Sequence, residues 1–150
     1  LQCSLDQLDE TRTWALLPFL MAAVAELRAV RGDRTAARKL LVRAEELGEL
    51  TGERWCKPEI MRLGAALLRE DPGQKLDLLH GALELSREQG SHLWRLRCAT
   101  DLAELLHRQG RSGEARELLA PIHGWFSEGL DMPDLRRATR LLEVLRSSAH

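Results

Sequence analysis

The side chains best placed to do chemistry in this chain are arginines. Arg28, Arg69 and Arg108 each stand fourteen residues after a tryptophan, namely Trp14, Trp55 and Trp94. A ladder of guanidinium groups at one place in successive structural units is suited to holding carboxylates through paired N–H donors. The competing reading is a salt bridge to the adjoining turn or plain exposure to water. Arg97, Glu104 and His107 fall on the same stretch as Arg108 and complete the candidate binding set.

Other chemistry finds few residues to carry it. There is no Gly-x-x-x-x-Gly-Lys-Ser/Thr loop to cradle a nucleotide phosphate and no Gly-x-Ser-x-Gly turn for a nucleophilic serine. The five histidines show neither His-x-x-x-His nor Cys/His ligand spacing, so a metal site would have to be assembled in space around Cys98 and His107. The three cysteines, Cys3, Cys56 and Cys98, are odd in number and far apart, as expected of reduced thiols. The expectation is a non-enzymatic chain with no catalytic residue, cofactor or metal.

Composition narrows the partners. The 22 basic and 23 acidic side chains leave a net charge of −1, with no basic block of the kind that binds nucleic acid or anionic membrane. The longest apolar run, Ala15 to Ala25, contains Pro18 and is too short to cross a bilayer. No signal-peptide pattern opens the chain, so a cytoplasmic location is expected. A start at Leu1 rather than Met reads as a fragment of a longer protein.

The elements that must position these residues are helices. Leu, Ala, Arg and Glu dominate, tyrosine is absent, and no window alternates long enough for a strand. Helix ends are marked by Gly32-Asp33, Asp71-Pro72-Gly73-Gln74, Gly90-Ser91, Gly110-Arg111-Ser112 and Asp131-Met132-Pro133-Asp134. They predict helices over about 11–31, 34–50, 54–70, 72–89, 92–109, 112–128 and 132–146, and a further turn may be capped by Ser4-Leu5-Asp6-Gln7.

The tryptophans lie 41 and 39 residues apart, and nine residues after each comes a small residue: Ala23, Gly64 and Ala103. A period near 40 reads as stacked helix pairs. The pairs resemble the tetratricopeptide pattern, in which small residues sit where paired helices cross. The third pair would pack Leu102, Ala103 and Leu106 on Ala115, Leu119 and Ile122. The second would pack Leu63, Gly64 and Leu67 on Leu76, His80 and Leu83, and the first Ala22, Ala23 and Glu26 on Ala37, Leu41 and Ala44. Glu26 and His80 are misfits in that register. The fold expected is a single all-α, tetratricopeptide-like solenoid with repeats at about 11–51, 52–90 and 91–129 and a cap helix at 132–146. The cap is expected to be anchored by Gly124-Trp125-Phe126.

Two blocks carry a family resemblance. Thr51-Gly52-Glu53-Arg54-Trp55, with Glu59-Ile60 and Arg62-Leu63, resembles a signature in the C-terminal repeat region of large bacterial signalling ATPases. The end of the chain is similar to that family's terminus at Gln109-Gly110-Arg111, Glu114-Ala115-Arg116, Leu118-Leu119-Ala120-Pro121, Gly124-Trp125-Phe126, Pro133-Asp134-Leu135 and Leu141-Leu142. The blocks span about residues 51–146. The chain departs from the pattern at Cys56, where the family usually has an aromatic, and at Lys57 and Pro58. The resemblance implies a sensor and interaction module, in a parent carrying a nucleotide-binding switch with a cyclase-like or winged-helix output domain. No motif of those domains falls in this chain. Its groove would hold a peptide or another domain of the parent; the alternative is a small-molecule effector, which an enclosed apolar pocket under Trp55 and Trp94 would favour.

Overall fold

The computed structural model describes residues 2–68 and 71–148, and every element among them is helical. In chain order these are α1 (Gln2–Val30), α2 (Arg34–Thr51), α3 (Lys57–Leu67), α4 (Pro72–Glu88), α5 (His92–Arg108), α6 (Ser112–Gly124) and α7 (Pro133–Ser147). Helices α1 and α2, α3 and α4, and α5 and α6 form the closest pairs. Each pair packs on the next, and α7 closes the row against α5 and α6. Neighbour-on-neighbour packing of this kind is that of an α-solenoid.

Local chemistry explains most boundaries. The turns after α1, α4 and α5 share one geometry: Gly32, Gly90 and Gly110 take positive φ. The amide that follows each glycine reaches five residues back, Asp33 to Arg28, Ser91 to Ser86 and Arg111 to Leu106, each at 2.9 Å. Asp33 accepts the Ala36 amide at 3.1 Å and Asp71 the Gln74 amide at 2.9 Å, capping α2 and α4. The serines that follow Gly90 and Gly110 cap neither helix. Ser91 holds the N-cap position of α5 without a side-chain bond, and α6 is preceded by Arg111, with Ser112 inside the helix.

Helix α3 is shorter than expected at both ends. Pro58 sets its first turn, which leaves Trp55 and Cys56 outside the helix. At the other end Arg34 and Arg38 reach from α2 to the Leu67 carbonyl at 2.9 and 2.7 Å, and Leu68 turns extended. Helix α6 stops at Gly124 rather than near residue 128. Trp125 then lies flat on His92, with ring centroids 3.4 Å apart, and Phe126 packs edge-on to Trp125.

The packing register departs from the tryptophan period. The third pair buries Leu102, Ala103, Leu106, Ala115, Leu119 and Ile122 as expected. The first pair buries Ala22, Ala37, Leu41 and Ala44 as expected, but Ala23, nine residues after Trp14, is only half-buried. In the second pair α4 buries Leu79, Ala82 and Ser86 rather than the Leu76, His80 and Leu83 register, which leaves His80 in solvent. A Cβ on Gly64 would meet nothing within 4 Å, whereas one on Gly81 would stand 3.0 Å from Cε at the tip of the Met61 side chain, so α4 meets α3 at Gly81 rather than at Gly64. Tryptophan spacing does not track one structural place: Trp14 lies inside α1, Trp55 precedes α3 and Trp94 is in the first turn of α5.

Candidate functional site

The odd-numbered helices each turn charged residues toward a shared wall. On α5, Arg97, Asp101, Glu104 and Arg108 are spaced by four, three and four residues, which places them along one helix face. Helix α3 contributes Glu59 and Arg62, α7 contributes Asp134 and Arg137, and α1 contributes Glu26. These residues bond across helices. Arg62 Nη1 donates to Asp101 at 2.7 Å and Nη2 to Glu26 at 3.2 Å. Arg97 Nη1 lies 2.6 Å from Glu59, and its Nε lies 3.3 Å from Asp134. Arg137 Nη1 lies 2.7 Å from Asp101 and Nη2 2.8 Å from Glu104. Arg97 also sits over the Trp94 ring, 5.8 Å from its centroid.

Burial decides what this wall can do. Taking Arg62 out of water works against its charge, yet the hydrogen bonds it donates to Glu59 and the fields of Glu59 and Asp101 outweigh that and raise its pKa above the usual guanidinium range. The same balance raises Arg137, where burial is outweighed by Glu104 and Asp101. Arg62, Arg97 and Arg137 are therefore occupied in holding helices together, with little donor capacity left for a ligand.

Beside this network lies a half-open cleft of about 320 Å³ between α3, α4, α5 and α7. Arg62, Lys75, Arg108 and Arg137 line it against only Asp101 and Glu104. Among the described residues Lys75 makes no ion pair, and Arg108, three-quarters exposed, reaches Glu104 only at 3.7 Å. The cleft thus presents two cations with unspent donors above an apolar floor that includes Ala65 and Leu79. Carboxylates or other small anions suit it chemically.

The residues picked from sequence scatter. Arg97 and Glu104 lie in the network, and Arg108 stands at the cleft rim. Arg28 pairs with Asp33 in the adjoining turn at 3.6 Å. His107 braces the α5–α6 turn through Ser112 Oγ at 2.8 Å. Arg69 lies outside the described residues. Arg28 and Arg108 each sit near the end of their own helix, and the inter-helix wall is built from residues further back in the helices. Sequence reasoning met Glu59 and Arg62 only as residues of the resemblance, without a site role, and passed over Asp101, Arg137 and Lys75. The one signal for them was Glu26, a carboxylate on an apolar face, which the structure explains by its bond to Arg62.

The aromatic rings make no enclosed pocket. Phe19, Trp55 and Trp94 pack on one another at centroid distances of 5.5–6.4 Å. Trp55 Nε1 donates to the Ala15 carbonyl of α1 at 3.2 Å. The hollow next to Trp55 and Trp94 is open to solvent and edged by Arg54 and Gln89. Among the described residues no three His, Cys, Asp or Glu side chains gather to hold a metal ion. Cys98 is buried against the Pro58 carbonyl, 3.8 Å away, and burial pushes its thiol up to about 12. No described helix is long and apolar enough to cross a membrane. No protein family, characterised protein or solved structure matches the chain.

Proposed function

We propose that this chain is a non-catalytic, tetratricopeptide-like interaction module that binds an acidic protein segment in the cleft between α3, α4, α5 and α7. The supporting observation is the charge imbalance there: among the described residues Lys75 has no ion pair and Arg108 only a long one to Glu104, while their neighbours are spent on packing. The parent we propose, on the sequence resemblance alone, is a cytoplasmic bacterial signalling ATPase or transcriptional regulator with this module in its C-terminal repeat region. The bound segment would be a peptide or another domain of that parent, and its capture would bias the switch between states.

The test is a fluorescence-anisotropy titration with a labelled octapeptide rich in Asp and Glu. Lys75→Ala/Arg108→Ala should weaken binding at least tenfold, since one charge-assisted hydrogen bond contributes about 1.5–3 kcal/mol. Affinity should also fall as salt rises. The melting temperature should barely move, because Arg108 is exposed and Lys75 makes no ion pair among the described residues. Equal affinity in the double variant would remove these residues from the site.

A second reading, a small-molecule effector, draws on a cleft of about 270 Å³ between α1, α2 and α3, lined chiefly by Ala25, Ala29, Val30, Leu63 and Leu67. Arg34 stands at its edge with a buried Nε that has no partner among the described residues. A saturable rise in melting temperature with an aliphatic carboxylate, lost in Ala29→Trp, would favour that reading.

A further inference from the structure

The two ends of the row are finished differently. Helix α2 packs on α3, α4 on α5 and α6 on α7, so each later odd-numbered helix carries the even-numbered helix that precedes it. Among the described residues α1 carries none. The face it leaves open is apolar: Leu16 is 51% exposed, Leu20 52%, Val24 44%, Leu27 62% and Val30 82%. Leu16, Leu20, Ala23, Leu27 and Val30 are spaced by four, three, four and three residues. That is the 3.5-residue repeat by which one helix seats its side chains between those of another. Single exposed leucines are ordinary on a protein surface, but a continuous stripe over four helical turns is the mark of an interaction face.

The opposite end has no such stripe. Helix α7 buries Leu135, Ala138, Leu141, Leu142 and Leu145 and turns Arg136, Arg140, Glu143 and Arg146 to solvent. Stacking molecules head to tail would press those charges onto the α1 leucines and strip their water without a compensating partner. The α1 face therefore fits something other than the α7 end of another molecule. What covers the equivalent flank of α3, α5 and α7 is an amphipathic helix, α2, α4 or α6; in α4 the buried residues are Leu79, Ala82 and Ser86.

We propose that α1 is a docking face for an amphipathic helix of the α2, α4 and α6 kind, belonging to a further helix pair. That helix lies along Leu16, Leu20, Leu27 and Val30 and points its charges outward. Docking continues the interface the row already repeats three times and is independent of the acidic-peptide cleft.

A fluorescein-labelled peptide copying α4, residues 72–88, is the probe, because α4 does this packing on α5. Titrated with the 150-residue chain, it should show saturable binding. Leu20→Glu/Leu27→Glu should weaken that binding at least tenfold, and Lys75→Glu/Arg108→Glu should leave it unchanged. Should the glutamate pair unfold the chain, Leu20→Ser/Leu27→Ser gives the same comparison. Absence of saturation up to about 100 μM, or equal affinity in the seam variants, overturns the proposal. So does a wild-type dimer in sedimentation that the seam variants dissociate, since the face would then belong to a second copy of the chain.

Discussion

Arg62 grips Glu59 from one helical turn away through two parallel hydrogen bonds, Nε to Oε2 and Nη2 to Oε1, both 2.8 Å, with side chains only 6% and 3% exposed. The remaining Arg62 nitrogen crosses to Asp101 on α5. A local i, i+3 pair on α3 thereby becomes the hub of ties among α1, α3, α5 and α7. Bidentate geometry offsets part of the large desolvation cost that burying both charges imposes.

Removing one partner should cost more than removing both. Glu59→Ala leaves Arg62 and Arg97 short of a buried anion and should destabilise by about 3–5 kcal/mol in urea denaturation. Glu59→Met/Arg62→Leu, which keeps volume and removes the charges together, should lose less. If Glu59→Ala stays within about 0.5 kcal/mol of wild type, the hub does not exist in solution.

The α5–α6 crossing has no room. Ala103 is fully buried between α5 and its neighbours, so Ala103→Leu should destabilise by about 1–3 kcal/mol. The same change at Ala23, half-buried on α1, should be close to neutral. Equal losses at the two sites would restore the register that the tryptophan spacing implies.

Helix α7 covers the core and supplies Arg137. Ending the chain after Gly129 should uncover the apolar side of the third pair and leave Asp101 and Glu104 without that cation. Lower urea resistance and self-association are expected by sedimentation. A shortened chain that remains monomeric and equally stable would refute the capping role.

Alkali should weaken the fold through its buried thiols. Burial pushes Cys98 up to about 12 and Cys56 to about 11, against 9.0 for a free thiol. Below pH 9 both states hold their protons and this stabilisation is complete. As pH rises from 9 toward 11–12 the unfolded chain releases them first, so stability falls by up to about 1.4 kcal/mol per pH unit per cysteine. Denaturation at pH 8, 9.5 and 10.5 should show the fall, and Cys98→Ala should make it shallower.

The sequence alone determined the helices and most of their ends, because caps, positive-φ glycines and first-turn prolines act within a few residues. Asp33, Asp71, Gly32, Gly90 and Gly110 all behave as their types require. It also determined the third pair, where the small and large residues at 102–122 admit one packing. Tertiary structure alone decided the rest. Whether α4 turns Leu79 or His80 inward depends on how it lies against Met61 at Gly81, a contact between helices. The charged wall joins Glu26, Arg62, Asp101 and Arg137, residues separated by 36 to 39 positions at each step, and no local pattern encodes that meeting. Each of these charges reads as an exposed helix residue until the neighbouring helix removes its water, and which arginines remain free for a ligand is settled only by which ones that packing has already consumed.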